Sequence, residues 1–454
     1  ASTRTIAFDL PRGRSCAKNE IPVNSPRKVV NCRNVYHKQS LVFIGKPLNQ
    51  PEFQFIEPER PKRRRWLRYL LIVIAAVVTV AMVTLGGGVV YVSTQLRAAG
   101  IEVFSTDGET FDLPTAEEIN GPINLLLIGS DTREGQGSTA YGPVGAELAD
   151  VIILLHINEA RTNAVAMSFP RDLMIAVPEC PNPEGGTPYP AKEFSQINAT
   201  MNYGGPACTL LAVQSLTGIE IPYLAMIDFK GVIAMSEAVG GVDVCVAEPI
   251  NDDYTQLYLD AGEHTLIGET ALAFLRTRHG VGDGSDLSRI SNQQVFLTSL
   301  VRKLKDEGAL TNPFTMFRLG TAALNNMTLS RSLTDLGVIY GMAREVNDVD
   351  LDKITFLKLP VYDLEGDFAG RVGVSTERAS LLFDKLANDE PLVLAQANPG
   401  PGAVVVEEDT TDVADAGQPD AMPEGADAAE PTSSEEILPD WVQGTNASVK
   451  SCSS

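Results

Sequence analysis

The sequence predicts a layered α/β fold preceded by one transmembrane helix, and three observations predict it. Between Ile123 and Phe169, three short apolar runs rich in branched side chains, each bounded by turn residues, read as buried strands. From Gln196 onward, helical and strand patterns alternate, the order expected of strands and helices packed in layers. Upstream, Tyr69–Val92 is an uncharged run of 24 residues. That is enough to cross a hydrocarbon core of about 30 Å at about 1.5 Å per residue.

Taken in order, the chain divides as follows. Residues 1–65 lack sustained periodicity and hold many Pro, Asn and Arg, which reads as a mostly disordered basic arm. The run Glu59-Arg60-Pro61-Lys62-Arg63-Arg64-Arg65-Trp66-Leu67-Arg68 places that arm in the cytoplasm, because basic residues beside a span stay inside and Trp66 and Tyr69 suit the interface. The helix over 66–92 then makes this a single-pass protein of the cell membrane, with everything beyond Val92 outside the cytoplasm. A stalk (93–120), a main domain (121–304), an α/β continuation (305–394) and an acidic, Pro/Ala-rich tail read as disordered (395–454) follow. The positive surplus of the arm and the negative surplus of the tail nearly cancel, so the body carries almost the whole net charge of −22. An acidic body excludes a general nucleic-acid binder, and arginines at defined places within it need a local reason.

Within the main domain, Ile123–Ile128 is closed by Gly129-Ser130-Asp131-Thr132-Arg133. Val151–Ile157 has Asp150 at its entry, and Ala164–Phe169 ends at Pro170-Arg171-Asp172. If the two connections are hairpin-like, the runs form an antiparallel meander and Asp131, Asp150 and Arg171 share one rim. An all-parallel arrangement would send Asp150 to the opposite end. Farther on, Ala207–Leu216 reads as a helix, Tyr223–Phe229 as a strand, Lys230–Val239 as a helix and Val242–Val246 as a strand. Gly268–Leu275 reads as a short helix running into Arg276-Thr277-Arg278-His279. A longer helix spans about Leu287–Leu304, with Ile290, Leu297, Val301 and Leu304 on one stripe.

Two carboxylates on one rim suit a hard cation such as Mg2+ (or Mn2+), which takes one or two carboxylates and completes its shell with water and phosphate oxygens. Equally, one of them could act as a base toward a hydroxyl. Arg276 and Arg278 fall on one side of an extended segment, and Arg289 and Gln293, four apart, are neighbours on a helix face distinct from the apolar stripe. Guanidinium forks suit phosphate oxygens, so this set converging on one pocket would hold a pyrophosphate. The competing reading makes Arg289 a solvated surface partner of Asp286. Six cysteines include no CxxC pair, which argues against structural zinc. Cys180 and Cys208 flank a loop-rich segment in a compartment that permits a disulfide between them, without spacing alone fixing the pairing.

The pieces NLLLIGSDTR, ADVIILLHI, MSFPRD, INATMNYGGP, FKGVIAMSEAVGGVDVCV, ALAFLRTRHG and DLSRISNQQ, in this order over Ile123 to about Lys303, closely resemble the LytR-CpsA-Psr family of cell-wall glycopolymer ligases. The resemblance implies a three-layer α-β-α sandwich with a central mixed β-sheet and an apolar pocket for a polyprenyl chain. It also implies transfer of a glycopolymer from a polyprenyl-pyrophosphate carrier to peptidoglycan through a phosphodiester. Carried over by position, Asp131 and Asp150 match the magnesium aspartates and, with Arg171, the catalytic set. Arg171, Arg276, Arg278, Arg289 and Gln293 match the pyrophosphate-binding set, with Arg133 supporting the same rim. Two departures are visible: Leu148-Ala149-Asp150-Val151 stands where the family often has Arg-Ser/Thr-Asp-Thr, and Gln196 stands where a basic residue often precedes INA. Two other functions fit the same pocket. A non-catalytic carrier-binding regulator or scaffold of wall synthesis would bind lipid without transfer, and a lipid-pyrophosphate hydrolase would release free phosphorylated glycan.

Overall fold

A computed structural model of the chain describes residues 69–70, 72–75, 79, 100–103, 121–132, 147–309, 312–334, 336–406 and 437–454. The chain divides into two compact units, 1–74 and 75–454. In the first, residues 69, 70 and 72–74 are described, and they are helical. Most of the span expected over 66–92 lies outside the described residues, as do the arm and most of the stalk. Among the described residues no helix is long and apolar enough to cross a membrane.

The second unit is built on a seven-stranded mixed sheet. At its centre lie β1 (Ile123–Ser130), β2 (Ala149–Ile157) and β3 (Ala164–Phe169). β1 pairs antiparallel with β2, and β2 antiparallel with β3, so the antiparallel meander is the arrangement found. Strand Tyr223–Ile227 runs parallel to β1 and carries Met327–Leu329 at its far side. Strand Ile354–Lys358 runs parallel to β3 and carries Gly444–Asn446.

Both faces of the central strands are apolar, and the period of two divides them between different cores. Leu126, Ile128, Ile152, Leu154, Val165 and Met167 pack on one side with Leu210 and Val213 of helix Thr200–Thr217 and Leu382 and Leu386 of helix Thr376–Ala387. Leu125, Leu127, Val151 and Ile153 face the other side, with Leu297 and Val301 of helix Asp286–Asp306 and Val338 and Met342 of helix Leu336–Asp348. The sheet is therefore the middle of three layers. On the second face Leu127 and Val151 are only partly buried, because the layers stand apart there around a cavity.

A smaller four-stranded sheet orders Gly262–Leu266, Val242–Val246, Ser451–Ser453 and Ala403–Val405, over a third core formed by Val242, Val244, Phe274 and Phe296. This corrects the expectation of a disordered tail over 395–454. Residues 437–454 return to the body, adding Gly444–Asn446 to the main sheet and Ser451–Ser453 to the smaller one. Cys452 is bonded to Cys245, closing a loop across a sequence separation of 207. Acidic, alanine-rich composition conceals these strands, since edge pairing draws on backbone hydrogen bonds that any non-proline residue supplies. Residues 407–436 lie outside the described set. Cys180 and Cys208 are joined as well, beside the Gly204-Gly205 break that kinks helix Thr200–Thr217.

Candidate active site

The meander places the exit of β1, the entry of β2 and the exit of β3 at one rim. Gly129 lets β1 and β2 approach: a Cβ there would lie 2.9 Å from Cβ of Val151. Immediately beyond, the register shifts, Gly129 pairing with Val151 and Ser130 with Ala149. Asp150 is thus the extra residue of a β-bulge, the device by which a strand re-aims a side chain at its end. Asp131 follows on β1; its amide donates to the Leu148 carbonyl (3.1 Å), and the Leu148 amide donates to Asp131 Oδ1 (2.8 Å). Leu148, at the departure from the family's usual sequence, therefore orients Asp131 through its backbone.

Arg171 Nη1 donates to Asp150 Oδ1 at 2.5 Å. Asp286, in the first turn of helix Asp286–Asp306, is the second anchor. Its Oδ1 lies 2.7 Å from Arg278 Nη2, 2.7 Å from Arg289 Nη2 and 3.6 Å from Arg171 Nε. A carboxylate in the first turn is favoured by the helix dipole. Arg289 also donates from Nη2 to the Asp150 carbonyl, 2.9 Å. Burial lowers the proton affinity of Arg289 while Asp286 and Asp150 raise it, and an arginine so paired stays charged. For Arg171, burial likewise lowers it, but Asp150, Asp286 and Asp172 together outweigh burial and the net shift is upward. The Nε atoms of Arg171, Arg278 and Arg289 are buried without a hydrogen-bond partner. Buried donors in native proteins are almost always paired, so three in one place mark a cluster suited to an anion.

Asp131, Asp150, Arg171, Arg276, Arg278, Arg289 and Gln293 all line a single cavity of about 740 Å3. Arg133 lies outside the described residues. The other residues occupy different places within the cavity. Arg276 ends helix Glu269–Arg276 and lays its guanidinium over the Phe229 ring, 4.4 Å from the centroid, while Arg278, past the extended Thr277, turns to Asp286. Gln293 donates from Nε2 to the Leu275 carbonyl, 3.0 Å, fixing the segment that leads to both arginines.

Two expectations about helix Asp286–Asp306 are corrected. The Asp286–Arg289 pair is not solvated, the side chains being 13% and 5% exposed. Nor do Arg289 and Gln293 occupy a face apart from Leu297 and Leu304: all four line the cavity, with Leu300. Steps of four, four, three and four residues keep them on one stripe. That stripe is polar in its first turns and apolar in its last, and the cavity follows it. Its other apolar walls include Leu127 and Ile153 from the sheet and Val232 and Met235 from helix Phe229–Val239.

The sequence reading also missed Asp252. Only 1% exposed, it accepts from Thr277 Oγ1 (2.5 Å) and the Arg278 amide (3.2 Å) through one carboxylate oxygen, and from the Tyr254 amide (2.9 Å) through the other. Burial raises its pKa, but these bonds together outweigh burial and hold it below its ordinary value. Gln196, the second departure, donates from Nε2 to Asp172 Oδ1 at 2.6 Å, bracing the residue after Arg171.

Among the described residues no three or more His, Cys, Asp or Glu gather as a metal cage. Magnesium takes one or two carboxylates and completes its shell with water and phosphate oxygens, and Asp131 and Asp150 both line the cavity.

The model of the LytR_cpsA_psr family matches residues 89–387. The cell wall biosynthesis protein LcpA of Corynebacterium glutamicum is 28% identical over 271 residues, covering 54% of this chain and 51% of that protein. The polyisoprenyl-teichoic acid–peptidoglycan teichoic acid transferase TagT of Bacillus subtilis is 28% identical over 257 residues, covering 54% and 74%. The chain spans about half the length of the corynebacterial relatives it matches. The solved structure of a LytR-Csp2A-Psr enzyme from Actinomyces oris is 24% identical and covers 64% of this chain and 95% of that one, with a TM-score of 0.46. With the family model matching about two thirds of its length, the chain belongs to the LytR-CpsA-Psr family.

Proposed function

We propose that this protein is a membrane-anchored, extracytoplasmic phosphotransferase that moves a glycopolymer from a polyprenyl-pyrophosphate carrier onto peptidoglycan. The observation that carries this reading is the cavity stripe of helix Asp286–Asp306, arginine and glutamine at one end and leucine at the other. A ligand matched to it has an anionic head and a long apolar tail. Partly buried leucines gain about 25 cal/mol for each Å2 an apolar chain covers. The relatives named above, a cell wall biosynthesis protein and a teichoic acid–peptidoglycan transferase, support the same chemistry.

In this account Arg171, Arg278 and Arg289, which line the cavity together, hold the pyrophosphate, and Arg276 flanks it beside Phe229. A hydroxyl of the acceptor sugar attacks the sugar-proximal phosphorus. The new oxygen–phosphorus bond forms as the bond from that phosphorus to the bridging oxygen breaks, and polyprenyl phosphate leaves with the bridging oxygen. The hydroxyl proton passes to one of the rim carboxylates, Asp131 or Asp150. A bound Mg2+ or Mn2+, held by Asp131 and Asp150, would neutralise charge on the departing phosphate. Fixed cations facing the developing charge are the principal lever in phosphoryl transfer. The basic run before Tyr69 and the apolar run after it support the anchored topology.

The two-ended cavity is tested by separating head from tail. Leu300→Trp should fill the apolar limb, weakening geranylgeranyl phosphate binding at least about tenfold, or about 1.4 kcal/mol, while inorganic pyrophosphate binds as before. Arg278→Met should weaken both ligands. Loss of pyrophosphate binding in Leu300→Trp, or unchanged prenyl phosphate binding, would contradict the reading.

A further inference from the structure

Beyond the pyrophosphate cluster, the cavity mouth carries an aromatic surface that the proposed chemistry has not used. Strands Ile250–Asp252 and Leu257–Leu259 form a short hairpin. Its turn, residues 253–256, closes through Gln256 in the left-handed region (φ 57°) and lifts Tyr254 out of the surface. Tyr254 is 81% exposed, the most exposed large hydrophobic residue among those described, yet it is not loose. Its ring lies against that of His279, centroids 4.4 Å apart and planes 35° from parallel. Its amide is tied to the buried Asp252 carboxylate, whose other oxygen accepts from the Arg278 amide. One carboxylate thus fixes the aromatic surface in register with an arginine of the phosphate cluster. Tyr254 and His279 both line the cavity at its polar end. In the same turn, the Tyr258 hydroxyl donates to Oδ1 of the exposed Asp253, the residue before Tyr254, at 2.7 Å.

An exposed, rigidly held aromatic face, with a surface carboxylate one residue away in the turn, is the complement of a pyranose. The axial C–H face of the sugar is apolar and matches the electron-rich face of a ring, and its hydroxyls meet acceptors at the edge. Resting on the reading of the pocket as a pyrophosphate site, we propose that Tyr254 and His279 form a sugar platform. It receives the pyranose ring adjoining the reacting phosphate. That ring is either the first sugar of the donor or the acceptor sugar, and the two differ in which soluble probe feels the platform.

The test uses the purified full chain in detergent with three probes: a glycosyl diphosphate lacking the prenyl chain, a peptidoglycan-derived oligosaccharide and inorganic pyrophosphate. Dissociation constants are compared for wild type, Tyr254→Ala and Tyr254→Phe. Tyr254→Ala should raise the constant for one sugar probe roughly three- to tenfold, the size of one aromatic contact. Tyr254→Phe should restore it, and pyrophosphate binding should stay constant in all three proteins. A rise for glycosyl diphosphate alone assigns the platform to the donor, and a rise for the oligosaccharide alone assigns it to the acceptor. Unchanged sugar affinities overturn the proposal. So does a parallel loss of pyrophosphate binding, which would mean that the turn acts only through the Arg278 backbone. Failure of the transferase reading is separately visible as absence of a phosphodiester product from the wild-type protein.

Discussion

Asp286→Asn isolates the role of the carboxylate at the centre of the arginine cluster. The substitution keeps the shape of the side chain and removes its charge from between Arg278 and Arg289, both 2.7 Å away. Removing one partner of a buried ion pair costs about 3–5 kcal/mol. Arg289 keeps the Asp150 carbonyl at 2.9 Å and the Asp150 carboxylate at 3.9 Å, which places the loss near the lower end of that range. Arg278 and Arg171, with side chains 26% and 23% exposed, contribute less than about 1 kcal/mol after screening by solvent. A loss of about 3 kcal/mol lowers the melting temperature of a domain this size by about 6 °C. Inorganic pyrophosphate should offset much of that loss, because a ligand at about 100 times its dissociation constant stabilises by about 2.7 kcal/mol. Its stabilising shift should also be larger in Asp286→Asn than in wild type, where Asp286 competes for the same donors. Thermal denaturation with and without pyrophosphate reads both effects. An unchanged melting temperature, or a pyrophosphate shift no larger than that of wild type, would refute the assignment of Asp286 as the resident counter-charge.

Two further predictions follow from residues outside the cluster. Cys245→Ser should cost about 5 kcal/mol, since the bond to Cys452 closes a loop across a separation of 207 residues; a native, non-reduced peptide map should link the two cysteines, and free alkylation of Cys245 would contradict the docked C-terminal segment. Lys358, 3% exposed and pushed down to about 7 by burial against an ordinary value of 10.5, should make stability rise with pH. Between these values the unfolded chain binds more protons than the folded one, so the slope is positive, up to about 1.4 kcal/mol per pH unit. Urea melts at pH 7 and pH 9 should show that rise in wild type and its loss in Lys358→Met, whereas parallel behaviour of the two would count against a buried neutral lysine.

The rim was legible because its signals are local. Apolar runs of strand length with polar turns specify the meander, and the meander alone brings Asp150 beside Arg171. The four-residue spacing of Arg289 and Gln293 put them together on a helix before any tertiary contact was known. Other features depend on facts that a local window does not hold. The bulge at Asp150 is set by the register between strands separated by a long connection, and only Gly129 hints at it. Asp286 and Arg289 have the spacing of an ordinary surface pair, and their burial comes from β2 and the Arg278 segment packing over them. The stripe of helix Asp286–Asp306 was misread because a cavity admits both arginine and leucine on one face, which a helix facing solid core does not. The docked segment 437–454 was concealed by composition, its strands being only two or three residues long and held by partners far away in sequence.

The central claim is transfer from a prenyl-linked donor, and one measurement addresses it most directly. The full chain, purified from its host membrane, is analysed by mass spectrometry for a bound polyprenyl phosphate or pyrophosphate. It is then supplied with magnesium, a lipid-pyrophosphoryl sugar and a peptidoglycan oligomer. The account predicts bound prenyl lipid and a phosphodiester-linked product that Asp150→Ala fails to form. Bound lipid without product across varied acceptors, free phosphorylated glycan in place of an adduct, or neither lipid nor product would each contradict it.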